Sequence, residues 1–317
     1  MQCRGLKDSV YSSIWDNACD TVMLSGGLDS TIVAAIRRPD YSITIGFGSK
    51  APDLRFADHA AFKFVGRKLT KILSTHEVLG TIEKVIVALR TFDPLIIRNS
   101  IVPYAALEVA KINGLERVYT GDGGDELFAG YNFLRRYLND PSRLESEIIR
   151  LRSIMTFPTF SLGESMNVKI IAQFLNEKVV RISKSIPISD LINKVWGKLV
   201  LRHCFRDEIG EEFCWRKKLA QEQGAGITKI RKVIENRYND YSFIEEARIA
   251  KRKGVVVRDK EHLYYFRNFL RNFSLEERYD CPELTCSVCG NCVSFLSNYC
   301  KLCGQFPVAQ PHMPFGT

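Results

Sequence analysis

The chain has 317 residues, 45% of them hydrophobic and 26% charged, with a formal net charge of +9. That content supports a large apolar core and excludes a disordered composition. It contains no run of about 20 apolar residues, which excludes a membrane-spanning helix. Residues 1–20 lack the apolar stretch of a signal peptide, so the cytoplasm is the expected location, and the positive balance favours an anionic partner such as a nucleotide, a phosphate or RNA.

In chain order, TVMLSGG (21–27) reads as a strand entering a turn and STIVAAIRR (30–38) as the helix behind it. YSITIGFG (41–48) is a β-rich strand. RFADHAAFKFVGRKL (55–69) has helical spacing, with Phe56, Ala60 and Phe64 on one face. KILSTHEV (71–78) is expected as the third strand and TIEKVIVALRTF (81–92) as the third helix. VPYAALEVAKING (102–114) follows as a helix closed by Asn113-Gly114. ERVYTGDGGDE (116–126) is a strand running into a glycine-acidic loop. This alternation predicts an α/β fold, a parallel sheet with helices on both faces, over residues 1–138. Residues 139–275 are mainly helical in pattern, with VKIIAQFLNEKVVRIS (168–183) among the candidate helices and a break near Ile209-Gly210 in the 199–222 stretch.

Ligands of such sheets bind outside the carboxyl ends of the strands. Ser25-Gly26-Gly27 and Gly121-Asp122-Gly123-Gly124-Asp125 both follow strands, so both are expected at that edge. A Ser/Gly loop between a strand and a helix can wrap its backbone N–H groups around an anion, and the helix dipole adds to the attraction. Gly26 and Gly27 allow close approach, and Ser25 and Ser30 supply hydroxyls. Asp29 makes sense beside phosphate if it holds Mg²⁺. The pattern is neither G-x-x-x-x-G-K-[ST] nor G-x-G-x-x-G; the competing reading is a tight turn.

SGGLDS resembles the pyrophosphate-binding (PP-loop) motif of the N-type ATP pyrophosphatases. YTGDGGDELFAGY (119–131) narrows the resemblance to the asparagine synthetase family. Three further segments, 91–104, 197–218 and 259–273, are similar to family segments in the same order. The last two resemble its Lys-x-x-Leu-Arg to Trp-Arg-x-Lys region and its Lys-Glu-x-Tyr-x-Tyr-Arg region. The resemblance covers Leu6 to Phe273. It implies an ATP-dependent carbon–nitrogen ligase, forming AMP and pyrophosphate, that adenylates aspartate or a related carboxylate and passes it to ammonia. It further implies ATP or pyrophosphate binding by Leu24, Ser25, Gly26, Gly27, Asp29, Ser30, Gly121 and Gly123. Asp29 and Asp125 match the Mg²⁺ ligands, Lys218 the lysine that neutralises the α-phosphate, and Asp122 the position of a residue that takes a proton from the amine.

The family's glutaminase domain has no counterpart ahead of Ser25, so ammonia is expected free or from a separate glutaminase subunit. In NVKIIAQFLN (167–176), the family's Glu, Arg, Pro and Asp are replaced by Lys169, Ile170, Gln173 and Asn176, which puts aspartate as the acceptor in question.

Six of the cysteines crowd residues 281–303. Cys286-x-x-Cys289-Gly290 and Cys300-x-x-Cys303-Gly304 have the spacing of a structural zinc ribbon over 280–306. Cys281 and Cys292 are left over; Cys289-x-x-Cys292 is an alternative first pair, and an iron–sulfur cluster an alternative occupant. The expected layout is a synthetase-like domain over 1–275, the ribbon, and a flexible tail over 307–317. The second functional reading is a tRNA-modifying PP-loop enzyme whose ribbon binds RNA.

Overall fold

The structure is a computed structural model, and it describes residues 3–275, 283–294 and 298–308. In chain order its first elements are α1 (Cys3–Trp15), β1 (Thr21–Met23), α2 (Leu28–Arg37), β2 (Tyr41–Phe47), α3 (Pro52–Phe64), β3 (Arg67–Leu73), α4 (Thr75–Leu89) and α5 (Pro94–Ile112). Then come β4 (Arg117–Thr120), α6 (Gly124–Leu127), α7 (Pro141–Ile154), α8 (Pro158–Met166), β5 (Lys169–Ala172), α9 (Glu177–Ser185) and α10 (Leu199–Cys204). The last are α11 (Ile230–Glu235), α12 (Asp240–Arg252), α13 (Lys260–Leu270), β6 (Leu284–Thr285) and β7 (Cys292–Val293). The chain divides into two compact units, residues 1–73 with 102–226, and residues 74–101 with 227–317. The division is discontinuous.

The first unit is built on a parallel five-stranded sheet of order β3-β2-β1-β4-β5. The chain winds outward from β1 through β2 to β3, then returns to the other side of β1 as β4 and β5. The order reverses between β1 and β4, where Val22 pairs with Tyr119. That reversal is the switch point at which open α/β sheets bind ligands. Leu6, Val10 and Ile14 of α1, Ile32 and Val33 of α2, Phe128, Phe174 and Val200 form one buried cluster. The Tyr119 hydroxyl donates to the Ile14 carbonyl at 2.8 Å, tying β4 to α1.

Two strands differ from expectation. β3 comes earlier and is charged, because it is an edge strand whose solvated side chains blunt further pairing. The segment expected to finish it begins α4 instead: Ser74 and Glu77 form a capping box, each side chain bonding the other's backbone N–H. β5 lies inside the stretch read as helix, KIIA being compatible with either state until β4 supplies a partner. The break at Ile209-Gly210 is present, Gly210 having a φ of 88°. The first unit also contains a disulfide between Cys3 and Cys204.

In the second unit, Phe92 packs against the rings of His262, Phe266 and Phe269. Buried Glu261 pairs with Arg98 at 2.6 Å and accepts from the Tyr265 hydroxyl at 2.9 Å. The family-like segments 91–104 and 259–273 therefore meet here in a structural role. The cysteine segment belongs to this unit. The Phe92 N–H donates to the Leu302 carbonyl at 2.8 Å, and Arg258 donates to the carbonyls of Gly304 and Cys303 at 2.8 and 2.9 Å. The Val256 N–H reaches the Val288 carbonyl at 2.9 Å. Both cysteine knuckles are thus docked on the unit's body. Residues 309–317 of the expected tail lie outside the described residues.

Candidate active site

The loop after β1 is shaped by glycine. Gly26 has a φ of 68°, and a Cβ there would stand 2.4 Å from the Phe56 carbonyl carbon. Only glycine fits both the backbone and the space. Gly27 caps α2, and its N–H donates to Ser25 Oγ at 3.2 Å; the Ser25 and Ser30 hydroxyls lie 3.2 Å apart. The loop is therefore preformed, its two hydroxyls side by side at the N-terminus of a ten-residue helix. Leu24 is buried behind it, with its N–H on the Ile43 carbonyl and its own carbonyl accepting from Thr44.

The loop after β4 closes on Asp29. A Cβ on Gly124 would lie 2.6 Å from the Asp29 carboxyl carbon, and one on Gly121 would lie 3.0 Å from Asp29 Cβ. These glycines make the room that Asp29 occupies. Gly123, with a φ of 92°, lies against Leu175.

Asp29 and Asp125, distant in sequence, converge on one ammonium. Lys198 Nζ pairs with Asp125 Oδ1 at 2.6 Å and with Asp29 Oδ2, and Lys218 Nζ pairs with the same Asp125 Oδ1. Burial alone would raise the Asp125 pKa, but Lys198 and Lys218 hold its carboxyl well below the usual carboxylate range. Burial pulls Lys198 down, yet Asp125 and Asp29 outweigh it and hold the lysine above its ordinary value. Asp29 Oδ1 is buried with no hydrogen-bond partner among the described residues. A hard cation beside it would complete its coordination, so the donor set fits Mg²⁺. Asp122 takes a hydrogen bond from Thr120 Oγ1 at 2.9 Å, and burial raises its pKa to about 6.

Lys198, Arg216 and Tyr131, to which the sequence assigned no role, hold this site. Lys198 adopts a φ of 56°, a left-handed backbone that costs a non-glycine residue about 1 kcal/mol. Its N–H is fixed on the Phe128 carbonyl at 3.1 Å. Arg216 donates to the Ser25 carbonyl at 2.8 Å, pairs with Asp53 and lies over the Phe56 ring at 4.1 Å. It latches the Lys218 arm to the SGG loop. Tyr131 donates to Glu126 at 2.5 Å and offers its ring to Lys218 at 4.9 Å. Lys198 and Arg216 were visible in the sequence as the lysine of Lys-x-x-Leu-Arg and the arginine of Trp-Arg-x-Lys.

Comparison with known proteins agrees with this geometry. Residues 5–157 match the family model described as asparagine synthase. The match covers just under half of the chain. The chain is 27% identical to asparagine synthetase B [glutamine-hydrolyzing] of Escherichia coli, an alignment covering 90% of this chain and 56% of that protein. It is 26% identical to the asparagine synthetase [glutamine-hydrolyzing] of Gallus gallus over 79% of this chain and 48% of that protein. The chain thus spans about half the length of the curated relatives it matches. No helix among the described residues is long and apolar enough to cross a membrane.

The structure also shows which departures from the asparagine synthetase pattern face the site. Lys169 pairs with Arg117 at the amino end of β5, the edge away from the two loops. Its reversed charge therefore lies at the opposite end of the strand from the two loops. Counted back from Phe174-Leu175, the arginine position is Ile171 rather than Ile170, and both isoleucines are buried. Asn176 Oδ1 accepts from the Lys178 N–H at 3.0 Å and caps α9, as an aspartate would. Gln173 remains, buried at the carboxyl end of β5 with both amide atoms unpartnered among the described residues.

In the second unit, Cys286, Cys289, Cys300 and Cys303 bring their sulfurs within 4.8 Å of one another. The Cys286–Cys303 and Cys289–Cys300 sulfurs are each 3.6 Å apart. A tetrahedral ion about 2.3 Å from each sulfur requires edges of about 3.8 Å, so the four fit such an ion. Gly290 and Gly304, with φ of 72° and 76°, return their N–H groups to the Cys286 and Cys300 carbonyls. Cys292 is disulfide-bonded and takes no part, and Cys281 lies outside the described residues.

Proposed function

We propose that this chain is the synthetase part of an ATP-dependent amide ligase, which joins a carboxylate to ammonia with release of AMP and pyrophosphate. The observation that carries the reading is the convergence of Asp29, Asp125, Lys198 and Lys218 beside a preformed anion loop at the sheet's switch point. Ser25, Gly26, Gly27 and Ser30 hold the pyrophosphate, where backbone N–H groups and the α2 dipole meet its growing charge. Asp29 and Asp125 hold Mg²⁺, which when bound offsets charge on the phosphates. Lys218 neutralises the α-phosphate while the carboxylate attacks it. Asp122, with a pKa of about 6, is ionised at neutral pH and takes a proton from the amine as the amide forms.

Aspartate or a related short acid is the acceptor, and Gln173 is the departure from the family that stands nearest to selecting it. Ammonia is the nitrogen source, free or from a glutaminase partner. Cys286, Cys289, Cys300 and Cys303 hold a structural Zn²⁺, since four protein thiolates leave no open position for a reacting water.

The test supplies Mg·ATP, ammonium and candidate acids, aspartate first, and follows nucleotide products. AMP with pyrophosphate is expected, together with a rate that falls as pH drops through about 6 and loses that limb in Asp122→Asn. ADP and phosphate as sole products would refute the reading. Transfer RNA bound to the purified protein and consumed with ATP would favour a tRNA-modifying enzyme instead.

A further inference from the structure

Lys198 stands where the proposed metal would act. Its ammonium bridges both carboxylates assigned as metal ligands, and its side chain is almost fully buried, with 6% exposed. The slot it lies in is made for it: a Cβ on Gly130 would meet Lys198 Cε at 2.3 Å and Asp125 Oδ1 at 1.9 Å. The lysine is fixed from behind by its left-handed backbone and by the Arg202 N–H, which donates to its carbonyl at 3.0 Å.

Charge counting shows what this does. Asp29 and Asp125 carry two negative charges, and Lys198 and Lys218 bring two positive ones. These four side chains sum to zero without any metal. A bare divalent ion entering it gains no net attraction and would raise the local charge to +2. The same ion arriving with a triphosphate brings its own counter-charge, and the phosphate oxygens give the ammonium new partners.

We propose that Lys198 is an internal counter-cation that keeps the divalent-metal site closed in the nucleotide-free protein, so that the metal enters only together with a polyphosphate. This rests on the reading of Asp29 and Asp125 as metal ligands. Lys198 is here a gatekeeper of metal entry; Lys218 touches Asp125 but not Asp29 among the ion pairs, so Lys198 alone bridges the two carboxylates. The arrangement ties metal occupancy to substrate and leaves no resident ion for other anions to capture.

The experiment measures Mn²⁺ binding by the electron paramagnetic resonance of free Mn²⁺, without nucleotide and with pyrophosphate. Wild type, Lys198→Met and Asp29→Asn are compared, all checked for native circular dichroism. Without pyrophosphate, Lys198→Met is expected to bind one Mn²⁺ at least about tenfold more tightly than wild type, because one negative charge is uncovered. Lys198→Arg keeps the charge and should stay close to wild type. Lys198→Gln, which retains a hydrogen-bond donor, replaces the methionine variant if that one does not fold. Equal or weaker nucleotide-free Mn²⁺ binding in the neutral variant, with pyrophosphate-dependent binding still abolished by Asp29→Asn, would overturn the counter-cation role alone. Mn²⁺ binding that ignores Asp29→Asn under both conditions would overturn the metal assignment and this inference with it.

Discussion

The oxygen cluster of the first unit and the sulfur cluster of the second are both metal-sized groups of anionic side chains, but they differ in what balances them. Asp29 and Asp125 are covered by two lysines of the same chain. Among the described residues the four cysteines show no hydrogen bond from a lysine or arginine: Arg258 spends its hydrogen bonds on the carbonyls of Cys303 and Gly304 rather than on a sulfur. A cluster neutralised from within suits a metal that comes and goes with substrate. A cluster left uncovered suits one that is bound during folding and stays.

The largest effect that would break this contrast is at sulfur. Cys300→Ser is expected to remove one Zn²⁺ per chain and melt the knuckles, because structural zinc supplies on the order of 10 kcal/mol of apparent folding free energy. Elemental analysis reads the zinc. Hydrogen exchange should show lost protection at the Phe92 and Val256 amides, whose acceptors are Leu302 and Val288. Nucleotide binding at Ser25–Ser30 should persist.

At oxygen the effect is smaller and confined to chemistry. Asp125→Asn should lower pyrophosphate formation by about 10²–10³-fold while leaving zinc content unchanged. Loss of zinc in that variant would show the two clusters to be coupled.

The smallest effect sharpens the account of the second unit. His262 is stacked on Phe92 with its ring centroid at 5.4 Å, and its Nδ1 accepts from the Arg258 N–H at 3.2 Å. Burial, helped by the Arg258 charge, lowers its pKa from 6.5 to about 4. The unfolded chain therefore binds a proton below pH 6.5 that the folded chain refuses until about pH 4. Stability is complete above that window and declines as pH falls through it, by about 2–3 kcal/mol between pH 7 and 4.5. His262→Phe should flatten this part of the urea-unfolding profile. A slope equal to that of wild type would mean the imidazole is already charged in the fold.

Much of the first unit was legible because its strands run directly into glycine loops, and the position of Ser25 and Asp125 at one edge follows from strand polarity alone. β3 was less legible because Arg67, Lys68 and Lys71 on a solvated edge look like the polar face of a helix, although Ser74-x-x-Glu77 marked the next helix start. β5 was hidden because Lys169–Ala172 becomes a strand only through its pairing with β4. Lys198 and Arg216 could be named as motif members. Their roles come from Asp29 and Asp53, more than 160 positions away, and no local pattern encodes such a meeting. The cysteine spacing picked out the four residues whose sulfurs meet. It did not reveal that the knuckles rest on residues 91–93 and 256–258.

The Cys3–Cys204 bond and the four knuckle thiols ask for opposite surroundings. A dithiol strong enough to keep the knuckles reduced also exchanges with a disulfide that it reaches, and an oxidant that preserves the disulfide threatens unligated thiols. Each preparation of the protein thus carries a record of its handling in its sulfur. Intact mass under non-reducing conditions, with thiols trapped by an alkylating agent before and after a zinc chelator, would sort the forms. Activities compared between preparations belong to one molecule only when those counts agree.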